Sequence, residues 1–336
     1  MNAAYLYSLI AVVLLGLIAY AGVAVAGLEG FFGIFIPYVA VIVFVVGFAK
    51  SIINWAQSPV PFRIPTTSGQ QKSLSSIKHD RFDNPSNTFE VVGRMVLEVL
   101  LFRSLFKNTR VGFKDVGGYQ KIYYKWVVWL WLFGILFHYA FLVTVIRHLR
   151  FFTEPVPFFV DMLSRVDGMM QVGAPGILLS GLVLLAAASV LLIRRIVLPK
   201  LKYISLAADY FPLLLIIGIA VTGILMRHFT KVDVAAVKEL TMGLATLQPS
   251  IPAGGLSAMF YVHLFFVSLL LAYIPFSKLM HMGGVFMSPT RNLANNSRAV
   301  RHVNPWNYDV KTHTYEEYED DFREKMKEAG LPVEKE

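Results

Sequence analysis

The chain has 336 residues, 56% of them hydrophobic, no cysteine, and a formal net charge of +9. The mean hydropathy is +0.57, and soluble domains run at only about 45–50% apolar, so a soluble globular class is excluded. The missing cysteine excludes disulfides, thiolate-held iron–sulfur clusters and thioether-attached haem. In a chain of this kind the positive charge reports on membrane orientation and not on nucleic acid.

Six apolar stretches approach the ~20 residues that a bilayer requires. They run over 3–26, 31–54, 126–148, 174–198, 204–228 and 256–280. The fold class read from them is all-α: a polytopic membrane helical bundle of about six transmembrane helices, with a cytoplasmic insert and a C-terminal tail. The first stretch has no positive segment before it and is long for a signal sequence, so it reads as a retained helix. The two N-terminal helices, residues 1–54, are joined by "GLEGFFG" at 27–33.

An insert over 55–120 follows. It opens on "SPVPFRIPTTSGQQKS" (58–73), whose Pro, Ser and Thr content predicts irregular chain. Next comes "EVVGRMVLEVLLFRSLFK" (90–107), apolar enough to suggest a seventh span. Glu90, Arg94 and Glu98 recur at i, i+4, and a helix with such a polar stripe lies in the interface plane. Residues 121–285 hold four spans, and 286–336 form a polar tail. In that tail "TYEE" (314–317) reads as a capping box opening a surface helix over 314–330. Insert and tail read as docking segments for a cytoplasmic partner, on their size and aromatic content.

Six spans put both termini on one face. That face carries 25 Lys and Arg, against six on the other: Arg147, Arg150, Arg165, Arg227, Lys231 and Lys238. The excess predicts a multi-pass protein of the cytoplasmic (inner) membrane with both termini in the cytoplasm.

Four of the eight histidines fall in or at the edges of two spans: His138 and His148 on the third, His263 and His281 on the sixth. The spans are antiparallel, so His148 matches His263 near the outer level and His138 matches His281 near the inner. On continuous helices, ten residues rise ~15 Å and eighteen rise ~27 Å. Helix tilt must absorb that mismatch, while five full turns place His263 and His281 on one face. Imidazole buried in lipid is tolerable when its lone pair goes to a metal and its N–H finds a carbonyl. Two flat macrocycles, each clamped between two helices by axial imidazoles, account for all four residues. Gly134, Thr144 and Ser277, one turn earlier, leave room for a macrocycle. Arg147 and Arg150 flank His148 and suit propionates. The plainer alternative is polar residues that bridge helices. His228 beside Arg227 reads as interfacial, and His79, His302 and His313 lie in polar segments without a ligand pattern. Asp209 reads as a helix-start residue.

The paired spacings, ten on one helix and eighteen on the last, resemble the di-haem cytochrome b (gamma) subunits of respiratory nitrate reductases over about residues 120–285. "PVPFRIPTTSGQQKSL" (59–74) and "PTRNLANNSRAVRHVNPWNYDVKTHTYEEYEDDFREKM" (289–326) look like the M subunits of the sulfite-reduction-associated Dsr transmembrane complex, over nearly the whole chain. The resemblance implies two b haems, held by His138 with His281 and by His148 with His263, and menaquinone as the substrate. It implies a cytoplasmic iron–sulfur partner similar to heterodisulfide reductase, a periplasmic multihaem cytochrome c, a periplasmic iron–sulfur protein and a second integral membrane subunit. A basic residue near the outer haem serves quinol in the nitrate reductase family. Arg165 is the nearest here, where that family has Lys. The sequence leaves open a cytochrome b of a different respiratory enzyme, of nitrate reductase or hydrogenase type, and a haem-free transporter or anchor.

Overall fold

The structure is a computed structural model that describes residues 3–58, 68–168, 176–296 and 312–335. Six helices in it are long and apolar enough to cross a membrane: Ala4–Ala24, Phe31–Gln57, Val128–Phe151, Leu179–Val197, Ala207–Thr230 and Ala258–Phe276. Each falls within a turn or so of its predicted range, and the chain is a multi-pass membrane protein. The predicted start at 174, part of the irregular stretch 58–73, and His302 lie outside the described residues.

In chain order, α1 is Ala4–Ala24 and α2 is Ile36–Gln57, the latter preceded by a π-helical turn at Phe31–Phe35. Helices α3 (Thr88–Leu101) and α4 (Arg103–Phe106) belong to the insert. Strands β1 (Thr109–Val116) and β2 (Tyr119–Trp126) follow, then α5 (Val128–His148) and α6 (Phe158–Asp167). Beyond them lie α7 (Leu179–Val197), α8 (Pro199–Ile204), α9 (Ala207–Leu225) and α10 (Val234–Ala245). Last come α11 (Ala258–Tyr273), α12 (His281–Met287) and α13 (Tyr315–Glu328).

The core lies where α1, α9 and α11 meet, with α2 on the far side of α11 and α7 between α9 and α5. Leu215, Leu240, Tyr210 and Tyr261 are wholly buried there or just beside it. Outward positions on α1 and α2, such as Leu6, Ile10, Leu17, Val41 and Val45, are large, apolar and exposed. Lipid is the solvent that such a surface needs.

Helix α3 has 14 residues, too few to span, and it ends where Phe102 turns left-handed at φ 50°. Its polar stripe points inward. Glu90 accepts from the Ser86 N–H at 2.7 Å, Arg94 is buried, and Glu98 pairs with Arg291 of the tail. Phe89, Val92, Val96 and Leu100 are left exposed. Insert and tail are joined: the Asn295 side-chain amide donates to Asn84 Oδ1 at 2.6 Å, and the Asn295 N–H to the Pro85 carbonyl at 2.6 Å. The expected capping box is present at Thr314 and Glu317.

Two features depart from the sequence reading. A β1–β2 hairpin, not predicted from the sequence, pairs Thr109 with Trp126 through to Val116 with Tyr119 and leaves the helical bundle class unchanged. Gly117 and Gly118 close it at φ 65° and 86°, the positive pair that a tight two-residue hairpin turn demands. The sixth span is not one helix to residue 280. Helix α11 stops at Tyr273, and Pro275 sits in a short 3₁₀ turn. Ser277 is extended, and a second 3₁₀ turn, Lys278–Met280, leads into α12. Proline cannot supply the N–H that a continuing helix needs. His263 and His281 therefore do not share the face of one helix by counting turns.

Candidate haem-binding site

The structure brings the four membrane histidines together in the expected pairs. The rings of His148 and His263 lie with centroids 6.4 Å apart and planes at 19°. Those of His138 and His281 lie 6.0 Å apart at 80°. The break after α11 is what brings His281 opposite His138. Helix α5 packs on α7, and α11 on α1, α2 and α9. Among the described residues α5 and α11 do not pack closely on each other, so the paired rings face across a gap between helices.

Each ring is anchored through Nδ1. His138 donates to the Gly134 carbonyl at 2.7 Å and His148 to the Thr144 carbonyl at 2.7 Å. His281 donates to the Lys278 carbonyl at 2.8 Å, and His263 Nδ1 lies 2.8 Å from the Thr222 hydroxyl. A nitrogen that donates to a carbonyl carries the proton, which leaves the lone pair on Nε2. Metal-ligating histidines show this pattern, with the far nitrogen fixed by a carbonyl or hydroxyl.

The spacing supplies a second test of fit. With metal–nitrogen bonds of about 2.0–2.1 Å and a ring centre about 1.1 Å beyond each nitrogen, two imidazoles on one metal stand about 6.3 Å apart. Both observed separations match, so the donor set and its spacing fit two bis-imidazole haems. Aromatic rings border both pairs. Phe102 and Phe137 meet His138 edge-on at 4.9 and 5.1 Å, and Phe151 meets His148 at 5.7 Å.

The basic residues near His148 gather around one cavity of about 280 Å³, lined by Arg147, Arg150, Arg165 and Arg227 together with Asp161, Ser164, Gly168, Gly176 and Leu178. Arg147 is engaged: its Nη1 lies 2.7 Å from Asp167 Oδ2 and donates to the Ser180 hydroxyl at 2.9 Å. Ser180 in turn donates its N–H and hydroxyl to Asp167 at 2.7 and 2.6 Å. Arg150 lies over the Phe151 ring at 5.9 Å. Arg165 is mostly exposed and pairs with Asp161 at 2.9 Å. Arg227, counted from the sequence only among the basic residues of the outer face, donates to the Gly176 carbonyl and joins the cluster.

A second group surrounds His281. Lys278, whose carbonyl anchors that ring, donates its Nζ to Asp209 Oδ1 at 2.6 Å. Asp209 also accepts from the Leu206 N–H at 3.0 Å and lies 3.8 Å from Arg195. One buried carboxylate thus ties the end of α7, the start of α9 and the break before α12 together. The helix-start reading of Asp209 holds, but it omitted this clamp. Nothing local in the sequence announced it, because Lys278 and Asp209 are 69 residues apart. The Thr222 contact was equally silent, lying inside the apolar run "IAVTGIL".

The family described as "Nitrate reductase gamma subunit" matches residues 120–303. The "Hdr-like menaquinol oxidoreductase cytochrome b-like subunit" of Archaeoglobus fulgidus is 50% identical over 281 residues, covering 82% of this chain and 83% of that protein. The protein of the same description from Archaeoglobus profundus is 44% identical over 277 residues, covering 81% of each.

Proposed function

The chain belongs to the nitrate reductase gamma subunit family, and from that premise we propose that it is a membrane cytochrome b subunit that oxidises menaquinol. The electrons go to a cytoplasmic iron–sulfur partner similar to heterodisulfide reductase, in sulfite or sulfate respiration. The relatives' description as menaquinol oxidoreductase subunits supports the substrate. The single observation that carries the reading is two facing pairs of imidazoles at the spacing of shared axial ligands, each ring pinned through Nδ1.

Two b haems are the cofactors. His138 and His281 hold one, and His148 and His263 hold the other. When bound, each haem supplies a one-electron carrier within the membrane. The residues of the chain do the rest. Backbone carbonyls of Gly134, Thr144 and Lys278 fix three rings, so Nε2 is presented without any reorganisation. Arg150 and Arg147 supply positive charge for propionates beside His148. Arg165 is the residue that meets the quinol at the cavity mouth. A guanidinium donates hydrogen bonds but does not take a proton. The quinol gives up two protons with its two electrons; the carboxylate at hand is Asp161, whose Oδ2 lies 2.9 Å from Arg165 Nε, and it takes one of them while the other passes directly to water on the exposed side of the cavity. The Lys and Arg excess supports both termini in the cytoplasm of a cytoplasmic-membrane protein, with the arginine cavity on the outer side. A periplasmic multihaem cytochrome c, a periplasmic iron–sulfur protein and a second integral membrane subunit complete the complex.

Reduced-minus-oxidised spectra of His281→Ala in membranes test the assignment. One b-type signal is expected to vanish while the other persists. Retention of both ends the pairing of His138 with His281.

A further inference from the structure

Helix α9 supplies no histidine to either pair, yet it meets the His263 ring at two consecutive residues. Three of the four rings lean on main-chain carbonyls alone; His263 has the Ile219 carbonyl and, in addition, a side chain, the Thr222 hydroxyl at 2.8 Å. That hydroxyl has a single proton, and it is directed to the Gly218 carbonyl at 2.8 Å, with the Ile219 carbonyl at 3.0 Å. With its proton on a carbonyl it accepts from the imidazole, and together with the Ile219 carbonyl it favours the proton on Nδ1 and the lone pair on Nε2. Thr222 is 7% exposed, so bulk water does not take its place. Next to it, a Cβ on Gly223 would come within 3.3 Å of His263 Cε1. The dipeptide Thr222–Gly223 forms a seat shaped to this ring.

We infer that Thr222 is a positioning residue for His263, setting both the tautomer of that ligand and the redox potential of the group held by the 148–263 pair. The inference rests on the haem reading above. An acceptor on Nδ1–H raises the basicity of Nε2, and a more basic ligand favours the oxidised metal. Loss of the acceptor must raise the potential. The other three rings offer no equivalent handle, since a carbonyl of the main chain cannot be removed by substitution.

The test uses the full chain in its native membrane complex, with Thr222→Val, which keeps shape and loses the hydroxyl, and Thr222→Ser, which keeps the hydroxyl. Both b-type signals are titrated against potential, and the signal that His148→Ala removes identifies the 148–263 site. Thr222→Val is expected to raise the midpoint of that signal alone, and Thr222→Ser to keep the parent value. An unmoved midpoint in Thr222→Val, with the Ile219 carbonyl taking over the ring, overturns the inference. So does an equal shift in Thr222→Ser, or a shift of both signals together. A parent chain without b-type haem overturns the haem reading and this inference with it. An unmoved midpoint in a two-haem chain overturns the inference alone.

Discussion

The two histidine pairs are assembled by different means. His148 and His263 sit on regular helices, half-buried, with nearly parallel rings, and a third helix seats one of them through Thr222. His138 and His281 are exposed, with rings near perpendicular. His281 rides on a break held by an ion pair, and the ring of Phe102, in the insert, abuts His138. The first pair is a product of bundle packing. The second depends on segments outside the bundle core, so the two should respond to different perturbations.

The largest effect comes from the ligands themselves. His263→Ala is expected to abolish one b-type signal outright and to lower the melting temperature as well, because a seated ring leaves a space in the bundle. Loss of His281, already exposed, should abolish the other signal with little change in melting temperature. Spectra and thermal unfolding of both variants, side by side, check this asymmetry.

Next in size is the ion pair between Arg147 and Asp167, the carboxylate buried and the guanidinium nearly so. Asp167→Asn leaves an uncompensated guanidinium, and breaking a buried pair in this way costs about 3–5 kcal/mol. The loss should be read in thermal unfolding, and the spectrum of the 148–263 site should change before that of the 138–281 site.

Asp209→Asn sharpens the comparison from the other end. It frees Lys278 and adds net positive charge beside His281, so the midpoint of the 138–281 signal should rise while that of its partner stays. A titration in which both signals move, or only the 148–263 one, contradicts the division. Gly223→Ala should give a smaller change confined to the 148–263 signal, since the new methyl displaces the ring by a few tenths of an ångström.

The smallest effect concerns pH. Burial would raise the Glu90 carboxyl, but the Ser86 N–H and hydroxyl and the His79 ring hold it below the usual carboxylate range. A depressed carboxyl contributes stability above its unfolded value of about 4.3 that is lost as pH falls through the lower folded value. Hydrogen exchange across α3 should therefore stay protected at neutral pH and open only in acid below the ordinary glutamate range, with both haem signals still present as it begins.

Much of this was legible in the sequence. Apolar runs of bilayer length fix the six spans, because lipid imposes both composition and length on a spanning helix. The pairing of the histidines follows from antiparallel direction and depth. What escaped were features made by contact between distant residues. The break at Pro275 changed how His281 reaches His138, although the two rings lie opposite each other as level alone suggests. The Asp209–Lys278 clamp, the Thr222 seat and the Arg227 contribution join elements far apart in the chain. The hairpin is signalled by Gly117–Gly118 at its turn, a signal that the reading of the insert left unused.

The central claim is that the two facing imidazole pairs each hold one haem. A pyridine haemochrome assay on the purified full-length chain, scaled to protein concentration, measures this directly. Two b-type haems per chain are predicted. A colourless preparation, or a single haem per chain, would contradict it.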